Sequence, residues 1–185
     1  MIEIPEANSL SKQINDCLLG KCIVEVKAAS SAHKFAWYHG DPVEYPSRLK
    51  GNTIVSSSAA GGMVEITLSN SKLLFSDGVN LRFLGSPEMI PPKHQLLLTF
   101  EDNSMLAGSV QMYGGLICWV DGETYDNSYY LAAMEKPSPL SEHFNQDYFL
   151  QILSGDEVKK MSLKAALATQ QRIPGLGNGV LQDIL

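Results

Sequence analysis

The residues with the clearest chemistry lie near the end of the chain, in the run Pro174-Gly175-Leu176-Gly177-Asn178-Gly179. Pro174 predicts the end of a preceding helix, because its ring removes a donor and disfavours helical geometry one residue earlier. The glycines allow tight turns. Asn178 is a suitable N-cap for a second helix, whose free N–H groups favour an anion such as phosphate. The segment therefore predicts helix, two tight turns and helix, with a built-in anion site.

Three interpretations of this segment compete. The simplest is a corner between two helices of an all-α subdomain. A dinucleotide-binding fingerprint is disfavoured, because GLGNGV lacks the third glycine at the required spacing and follows a helix instead of a strand. The third interpretation is a helix-two-turn-helix that grips a nucleic-acid backbone.

A second group of reactive side chains lies at the start of the chain, where Glu3 and Glu6 follow the terminal amine. A terminal amine has a lower pKa than a lysine, so more of it is uncharged and nucleophilic near neutral pH. A neighbouring carboxylate is suited to proton transfer. The alternative is that both carboxylates are solvated and stabilise the start of a helix.

The elements between these two ends predict an α+β fold. Apolar residues at helical spacing predict a helix over Ala7–Leu19, which Gly20 ends. Short alternating segments with frequent turn signals then predict a β-sandwich or barrel. The predicted strands are Cys22–Ala28, Phe35–Tyr38, Thr53–Ser58, Met63–Leu68, Leu73–Ser76, Val79–Leu84, Gln95–Phe100, Met105–Gln111 and Leu116–Val120, with a loop at Gly85–Pro92 and a break at Tyr113-Gly114-Gly115.

The last part of the chain predicts a separate helical unit. Two prolines stiffen residues 136–140, which we interpret as a linker between a β-domain at 1–135 and a helical domain at 141–185. Ser141–Leu153 and Ser162–Gln171 predict helices that each open on a capping serine.

Composition restricts the function further. The chain of 185 residues has a net charge of −6, which at first sight argues against nucleic-acid binding. Acidic side chains outnumber basic ones before residue 151, so the helical tail after it is the least acidic part of the chain. The sequence has neither an apolar run of membrane-spanning length nor a leader, which predicts a cytoplasmic protein. Cys17, Cys22 and Cys118 lack metal-type spacing, so we expect buried thiols and no metal site.

Blocks at both ends and in the middle resemble one family. IEIPEA, LKGNTIV, PPKHQLLLTF, PLSEHF and RIPGLGN are similar, in the right order, to blocks of the formamidopyrimidine-DNA glycosylase and endonuclease VIII family. The resemblance implies an N-terminal β-sandwich with a flanking helix, followed by a helix-two-turn-helix domain. It also implies base-excision repair: removal of oxidised bases from duplex DNA and cleavage at the abasic site.

The same resemblance implies roles for particular residues. In the family, an N-terminal proline amine attacks the sugar carbon C1′ of a flipped-out nucleotide, and the next residue, a glutamate, handles protons. Carried over by position, Glu3 matches the glutamate, Glu6 matches the second half of the motif, and the nucleophile falls on Ile2. Because methionine is expected to remain before isoleucine, the free amine belongs to Met1, one residue out of register.

Other positions match the family unevenly. Gly175, Gly177 and Asn178 fit the DNA-binding turn best. A catalytic lysine of the β-domain falls on Gly61-Gly62. The loop that wedges into DNA corresponds to Gln111–Gly115, where Met112 and Tyr113 could fill the gap left by a flipped base or pack in the core. His94 could contact phosphate or be an ordinary exposed loop histidine.

The chain also stops where family members continue into a zinc finger. We therefore expect no cofactor in this chain, with zinc only if a C-terminal finger is missing from it. The expected partner is duplex DNA with damaged or abasic sites, bound by a monomer. Three hypotheses remain open: a glycosylase and abasic-site lyase, a relative that binds DNA or damage without the chemistry, and a former DNA-binding fold that now serves protein interaction.

Overall fold

The computed structural model describes residues 1–85 and 87–185; Ser86, within the predicted loop Gly85–Pro92, lies outside the described residues. The helices are α1 Ile4–Leu18, α2 Tyr45–Leu49, α3 Ser128–Glu135, α4 Gln146–Leu153, α5 Leu163–Ala168 and α6 Asn178–Ile184. The strands are β1 Ile23–Ala28, β2 Ala36–Trp37, β3 Ile54–Ala60, β4 Met63–Leu68, β5 Ser71–Leu84, β6 Leu96–Phe100 and β7 Met105–Val120. Short 3₁₀ turns lie at Pro42–Glu44, Pro87–Met89 and Val158–Lys160.

The strands form one mostly antiparallel sheet in the order β1-β6-β7-β5-β4-β3, and β2 pairs with β7 in parallel. An isolated bridge between Cys22 and Thr53 joins the starts of the two edge strands, so the sheet curls on itself. Helix α1 packs on this sheet, and α3 to α6 follow it. The α+β class, with an N-terminal helix, an antiparallel sheet and a helical tail, is thereby confirmed.

Two predicted strand breaks are wrong, because β5 and β7 are continuous. They pair from Ser71 opposite Val120 to Leu84 opposite Met105, with a register shift between Asp77 and Val79. At the shift, a Cβ on Gly78 would lie 2.6 Å from the Tyr113 carbonyl oxygen. The glycines therefore mark a bend where two strands approach closely, and the sequence alone suggested an end.

Several helix boundaries also differ from the predictions. Helix α1 begins at Ile4, since Pro5 fits the first turn and the Glu6 carboxylate accepts a hydrogen bond from the Glu3 N–H at 3.1 Å. Helix α4 begins at Gln146, because Asn145 caps it in place of Ser141. Ser162 caps α5 as expected, but that helix ends at Ala168.

The molecule has a main core and a smaller helical one. The main core lies between the sheet and helices α1 and α2, where the buried Tyr45 hydroxyl donates to the Leu116 carbonyl at 2.9 Å. The helical tail gathers Leu167, Ile173 and Leu181 around Ile4 of α1. The tail is therefore packed against the start of the chain, and the proposed division at 136–140 stays a prediction.

Helix α3 was not predicted, and it is fixed to the sheet by a buried polar group. The Tyr130 hydroxyl donates to the Glu65 carboxylate at 2.5 Å, and Lys72 donates to the other oxygen at 2.7 Å. Glu65 is buried, so this carboxylate is charge-paired and hydrogen-bonded as burial requires.

The expectation of three buried thiols is correct only in part. Cys118 is buried, whereas Cys22 is half-buried and Cys17 is exposed. Burial raises the pKa of the Cys118 thiol to about 12. None of the described helices is long and apolar enough to cross a membrane.

Candidate functional site

A cleft with a volume of about 610 Å³ opens where the two ends of the chain meet. The N-terminal segment, the bend of β5, the β3–β4 turn and the turn before α6 form its walls. Among the residues that line it are Met1, Glu3, Trp37, Asp77, Tyr125 and Gly175. The structure thus brings together the two sequence segments that were singled out for chemistry.

Ile2 lies in the wall of this cleft as a buried residue. Its side chain is 7% exposed and belongs to the main core. Its backbone N–H donates to the Asp77 carbonyl at 2.5 Å, and Asp77 has a left-handed φ of 59°. The nitrogen of Ile2 is therefore a hydrogen-bonded amide of the scaffold, whereas Met1 is exposed at the cleft.

The Glu3 carboxylate caps the first turn of α6. It accepts hydrogen bonds from the N–H groups of Gly179 at 2.9 Å and Val180 at 2.8 Å, although Glu3 is remote in sequence and 8% exposed. The prediction that Asn178 is the N-cap is wrong: the cap residue is Gly177, and Asn178 is the exposed first residue of the helix. The expected anion site exists, and a carboxylate of the same chain lies in it.

The glycines at both turns are required by close packing. A Cβ on Gly177 would lie 2.4 Å from the Glu3 carboxyl carbon, and a Cβ on Gly175 would lie 2.1 Å from the Gly62 nitrogen. A Cβ on Gly61 would lie 3.0 Å from the Pro174 carbonyl carbon. The β3–β4 turn therefore packs directly on the turn before α6. A side chain at position 61 or 62, such as the lysine that the family resemblance implied, would therefore crowd the turn before α6 or Ile2.

The remaining candidates lie apart from the cleft floor. Glu6 is exposed, and its carboxylate bonds the Glu3 N–H, which is a helix-capping arrangement. Met112 and Tyr113 are 71% and 37% exposed at the bend of β7, so the core-packing alternative does not hold for them. His94 is half-buried, and its Nδ1 lies 2.9 Å from the Pro91 carbonyl oxygen.

Arg172 is one of the basic residues of the helical tail, but it is buried in the turn between α5 and α6. Its guanidinium donates to the Ala166 and Thr169 carbonyls and to the Gln170 side chain. It is therefore a structural residue that holds this turn, in which Gln170 and Gln171 have left-handed φ values of 57° and 51°.

Sequence reasoning missed three cleft residues, Trp37, Asp77 and Tyr125. Burial, followed by the nearby charge of Asp77, raises the pKa of the Tyr125 phenol, so this residue is a neutral donor in the cleft. The Ser76 hydroxyl donates to the Asp77 carboxylate at 2.7 Å. Only the pair Asp77-Gly78 inside an apolar run could have indicated a bend here. Nothing in the sequence places Tyr125 beside it.

A metal at this site finds no support in the described residues, among which no group of three or more His, Cys, Asp or Glu side chains could hold an ion. The cleft is lined by aromatic rings, other apolar side chains, the carboxylate residues Glu3 and Asp77, and backbone groups. Its chemistry is that of stacking and hydrogen bonding.

No family model matches the chain. The formamidopyrimidine-DNA glycosylase of Acinetobacter baylyi is 26% identical over 180 residues, which cover 96% of this chain and 62% of the relative. The corresponding enzyme of Zymomonas mobilis is 24% identical over 181 residues. The chain is therefore distantly similar, over nearly its whole length, to formamidopyrimidine-DNA glycosylases.

The solved glycosylase structures share this fold. That of Lactococcus lactis formamidopyrimidine-DNA glycosylase, non-covalently bound to DNA with an abasic site, superimposes with a TM-score of 0.73 at 19% identity. The match covers 95% of this chain and 65% of that one. The chain therefore spans about three fifths of the length of its glycosylase relatives and corresponds to the part with the N-terminal helix, the sheet and the first helices after it.

Proposed function

We propose that this chain binds duplex DNA at a damaged or abasic nucleotide and that its excision chemistry is impaired. The observation that carries the proposal is the cleft of about 610 Å³ between the N-terminal segment and the turn before α6. A nucleotide rotated out of the duplex needs such a pocket, and aromatic walls provide stacking for its base. Met112 and Tyr113, exposed beside the cleft, are suited to fill the gap that a flipped nucleotide leaves.

Asn178 is the proposed contact to the DNA backbone. It is exposed at the start of α6, one residue from Gly177 and next to the amides that bind Glu3. A side-chain amide at this position is suited to hydrogen-bond a phosphate oxygen, which fixes orientation without reading sequence. His94 is less suited to such a contact, because its Nδ1 is directed to the Pro91 carbonyl and its Nε2 is buried without a hydrogen-bond partner among the described residues.

The proposed impairment rests on Ile2 and on Gly61-Gly62. A Schiff base requires an uncharged amine, and the nitrogen of Ile2 is an amide that donates to Asp77. Displacement of the amine by one residue moves it by about 3.5 Å, far more than near-attack geometry tolerates. The close packing of Gly62 on Gly175 also leaves the β-domain lysine of the family without a counterpart.

Catalysis is the second candidate, supported by one observation. Met1 lines the cleft together with Glu3, so an amine at residue 1 and a carboxylate share one wall. Both Glu3 oxygens are hydrogen-bonded to α6, however, and a proton transfer would have to compete with those bonds.

Binding is tested by fluorescence anisotropy at low salt with a short duplex that carries a tetrahydrofuran abasic analogue and with its undamaged counterpart. We expect the abasic duplex to bind at least tenfold more tightly. Asn178→Ala should weaken both duplexes similarly, by about 1 kcal/mol. Asn70→Ala, an exposed asparagine in the β4–β5 turn, is the matched control and should change neither affinity. Equal affinity for the two duplexes would remove the basis of the proposal.

Chemistry is tested by borohydride trapping on duplex DNA with a natural abasic site. We expect no covalent complex from the wild-type chain. A complex formed with Met1 in place would establish that this amine reaches C1′ and would favour the enzyme. Ile2→Pro should promote methionine removal and restore a terminal proline, at the cost of the hydrogen bond to Asp77. Trapping by this variant, together with slower base release by Glu3→Gln, would identify Ile2 as the cause of impairment.

A further inference from the structure

Four apolar side chains, Phe35, Trp37, Met112 and Tyr113, form an exposed surface beside the cleft, called the aromatic platform below. They surround a shallow cavity of about 540 Å³. The ring centroids of Trp37 and Tyr113 are 5.7 Å apart, with the planes inclined at 36°. Trp37 also lines the neighbouring cleft, so the platform is continuous with it.

Backbone pairing holds the platform in place. Strand β2 pairs in parallel with β7, with Ala36 opposite Gly114 and Trp37 opposite Gly115. The Gly114 N–H donates to the Phe35 carbonyl at 3.0 Å. Trp37 is 48% exposed, yet its backbone belongs to the sheet. The backbone that carries the rings is therefore fixed before any partner binds, which lowers the entropic cost of stacking on them.

A second observation concerns the position of the two loops that adjoin the platform. Residues 29–35 and 91–95 are tied together by hydrogen bonds from Ser31 N–H to the His94 carbonyl at 3.1 Å and from Gln95 Nε2 to the Ser31 carbonyl at 3.1 Å. The Gln95 Oε1 accepts a hydrogen bond from the N–H of Val110 at 2.7 Å, and Val110 lies two residues before Met112. The loops and the platform thus lie at one end of the sheet.

These loops are basic in an acidic protein. They carry His33, Lys34, Lys93 and His94, and neither stretch 26–40 nor stretch 89–100 contains an aspartate or glutamate. Both lysines are exposed, and the Lys34 ammonium lies 5.4 Å from the centroid of the Phe35 ring. A surface that combines exposed aromatic rings with cations is suited to a flexible, negatively charged polymer with planar aromatic groups, which can stack on the rings.

We propose that the aromatic platform and its basic loops bind single-stranded DNA. Unpaired bases stack on Trp37 and Tyr113, while Lys34 and Lys93 contact the phosphates. Stacking is tolerant of sequence, because every base has a π-face. A second copy of this chain fits the surface less well, since a two-fold interface at this patch would bring the same lysines together. The platform shares Trp37 with the cleft, whereas Phe35, Lys34 and Lys93 lie outside the cleft lining and belong to the proposed single-strand site alone.

The test uses the whole chain and an oligothymidylate of about twelve nucleotides, which matches the usual site size for one domain. The sequence has two tryptophans, and only Trp37 is exposed, since Trp119 is 6% exposed. We expect the oligothymidylate to quench the tryptophan fluorescence of the wild type. In Trp37→Phe this quenching should disappear, while binding measured by fluorescence anisotropy of the labelled oligonucleotide should remain. Trp37→Ala should weaken binding about tenfold. The logarithm of the binding constant falls linearly with the logarithm of the salt concentration. Lys34→Ala and Lys93→Ala should each reduce the magnitude of this slope by about 0.7.

Phe83 provides a matched control for Phe35. It is also an exposed phenylalanine with a lysine nearby, Lys21 at 5.9 Å from its centroid, but that lysine is paired with Asp102. Phe35→Ala should weaken oligothymidylate binding severalfold, and Phe83→Ala should leave it unchanged.

Three results would overturn the proposal: no binding of oligothymidylate by the wild type, equal binding by the two phenylalanine variants, or a dimer in sedimentation that Trp37→Ala dissociates. The last would assign the platform to a chain–chain interface. Loss of abasic-duplex binding in Asn178→Ala with intact oligothymidylate binding would separate the two sites. The reverse pattern in Phe35→Ala, whose side chain does not line the cleft, would do the same.

Discussion

The Glu3 carboxylate lies against the first turn of α6 and accepts hydrogen bonds from the backbone N–H groups of Gly179 and Val180, at 2.9 and 2.8 Å. A side chain at the start of the chain thus supplies the cap that α6 does not obtain from its own sequence. These two hydrogen bonds join the helical tail to the start of α1, and the joined segments form one wall of the cleft.

Neutralising this cap should loosen the tail. Glu3→Gln keeps one acceptor oxygen but removes the charge that favours the positive end of α6, so we expect a loss of about 1 kcal/mol in the free energy of unfolding. Urea unfolding measures it. Glu101→Gln, at an exposed position in the β6–β7 turn, is the control and should be nearly neutral. Equal stabilities for the two variants would mean that the carboxylate charge does not hold the helix.

Close packing at Gly175 can be separated from backbone strain. Gly175 and Gly51 have nearly the same φ, 81° and 83°, but only at Gly175 would a Cβ meet other atoms. Gly51→Ala should cost about 1–2 kcal/mol from the left-handed conformation alone. Gly175→Ala should cost clearly more, because its methyl group overlaps the Gly62 backbone. Thermal unfolding compares them; a Gly175→Ala loss no larger than that of Gly51→Ala would contradict the tight contact.

Tyr130 should anchor α3 through its hydroxyl. Tyr130→Phe leaves the buried Glu65 carboxylate with Lys72 as its partner, so we expect a loss of about 1–3 kcal/mol. Its neighbour Tyr129 is 60% exposed, and Tyr129→Phe should change stability little. Urea unfolding at pH 7 distinguishes the two variants. Similar midpoints would show that the short hydrogen bond adds nothing net to folding.

The buried Cys118 thiol should make stability fall in alkali. Its pKa rises from 9.0 to about 12 on folding because burial disfavours the thiolate. The raised value stabilises the fold fully below pH 9 and is lost as pH rises towards 12, since the unfolded thiol releases its proton first. Free energies of unfolding measured over this window should decline more steeply in wild type than in Cys118→Ala, by up to about 1.4 kcal/mol per pH unit. The exposed Cys17→Ala control should keep the wild-type slope.

Part of the local structure of this protein was predictable from its sequence. Alternation of apolar residues gave β4 with both boundaries correct, and Ser162 marked the start of α5, because these signals depend on neighbours a few residues away. The turn run from Pro174 to Gly179 likewise indicated an anion site at a helix start. The same local logic failed at Gly78 and Gly114, where a glycine permits a bend in a continuous strand.

Tertiary structure alone decided how these pieces form a site. No sequence pattern indicates that Glu3 caps α6, that Gly62 packs on Gly175, or that Trp37 meets Tyr113, because each contact joins segments far apart in the chain. Glycine is required at position 175 for two reasons: its φ is left-handed, and the backbone of the β3–β4 turn lies where a side chain would be. The sequence therefore determined which residues could carry chemistry, and the folded chain decided which of them are engaged with each other and which are exposed to a partner.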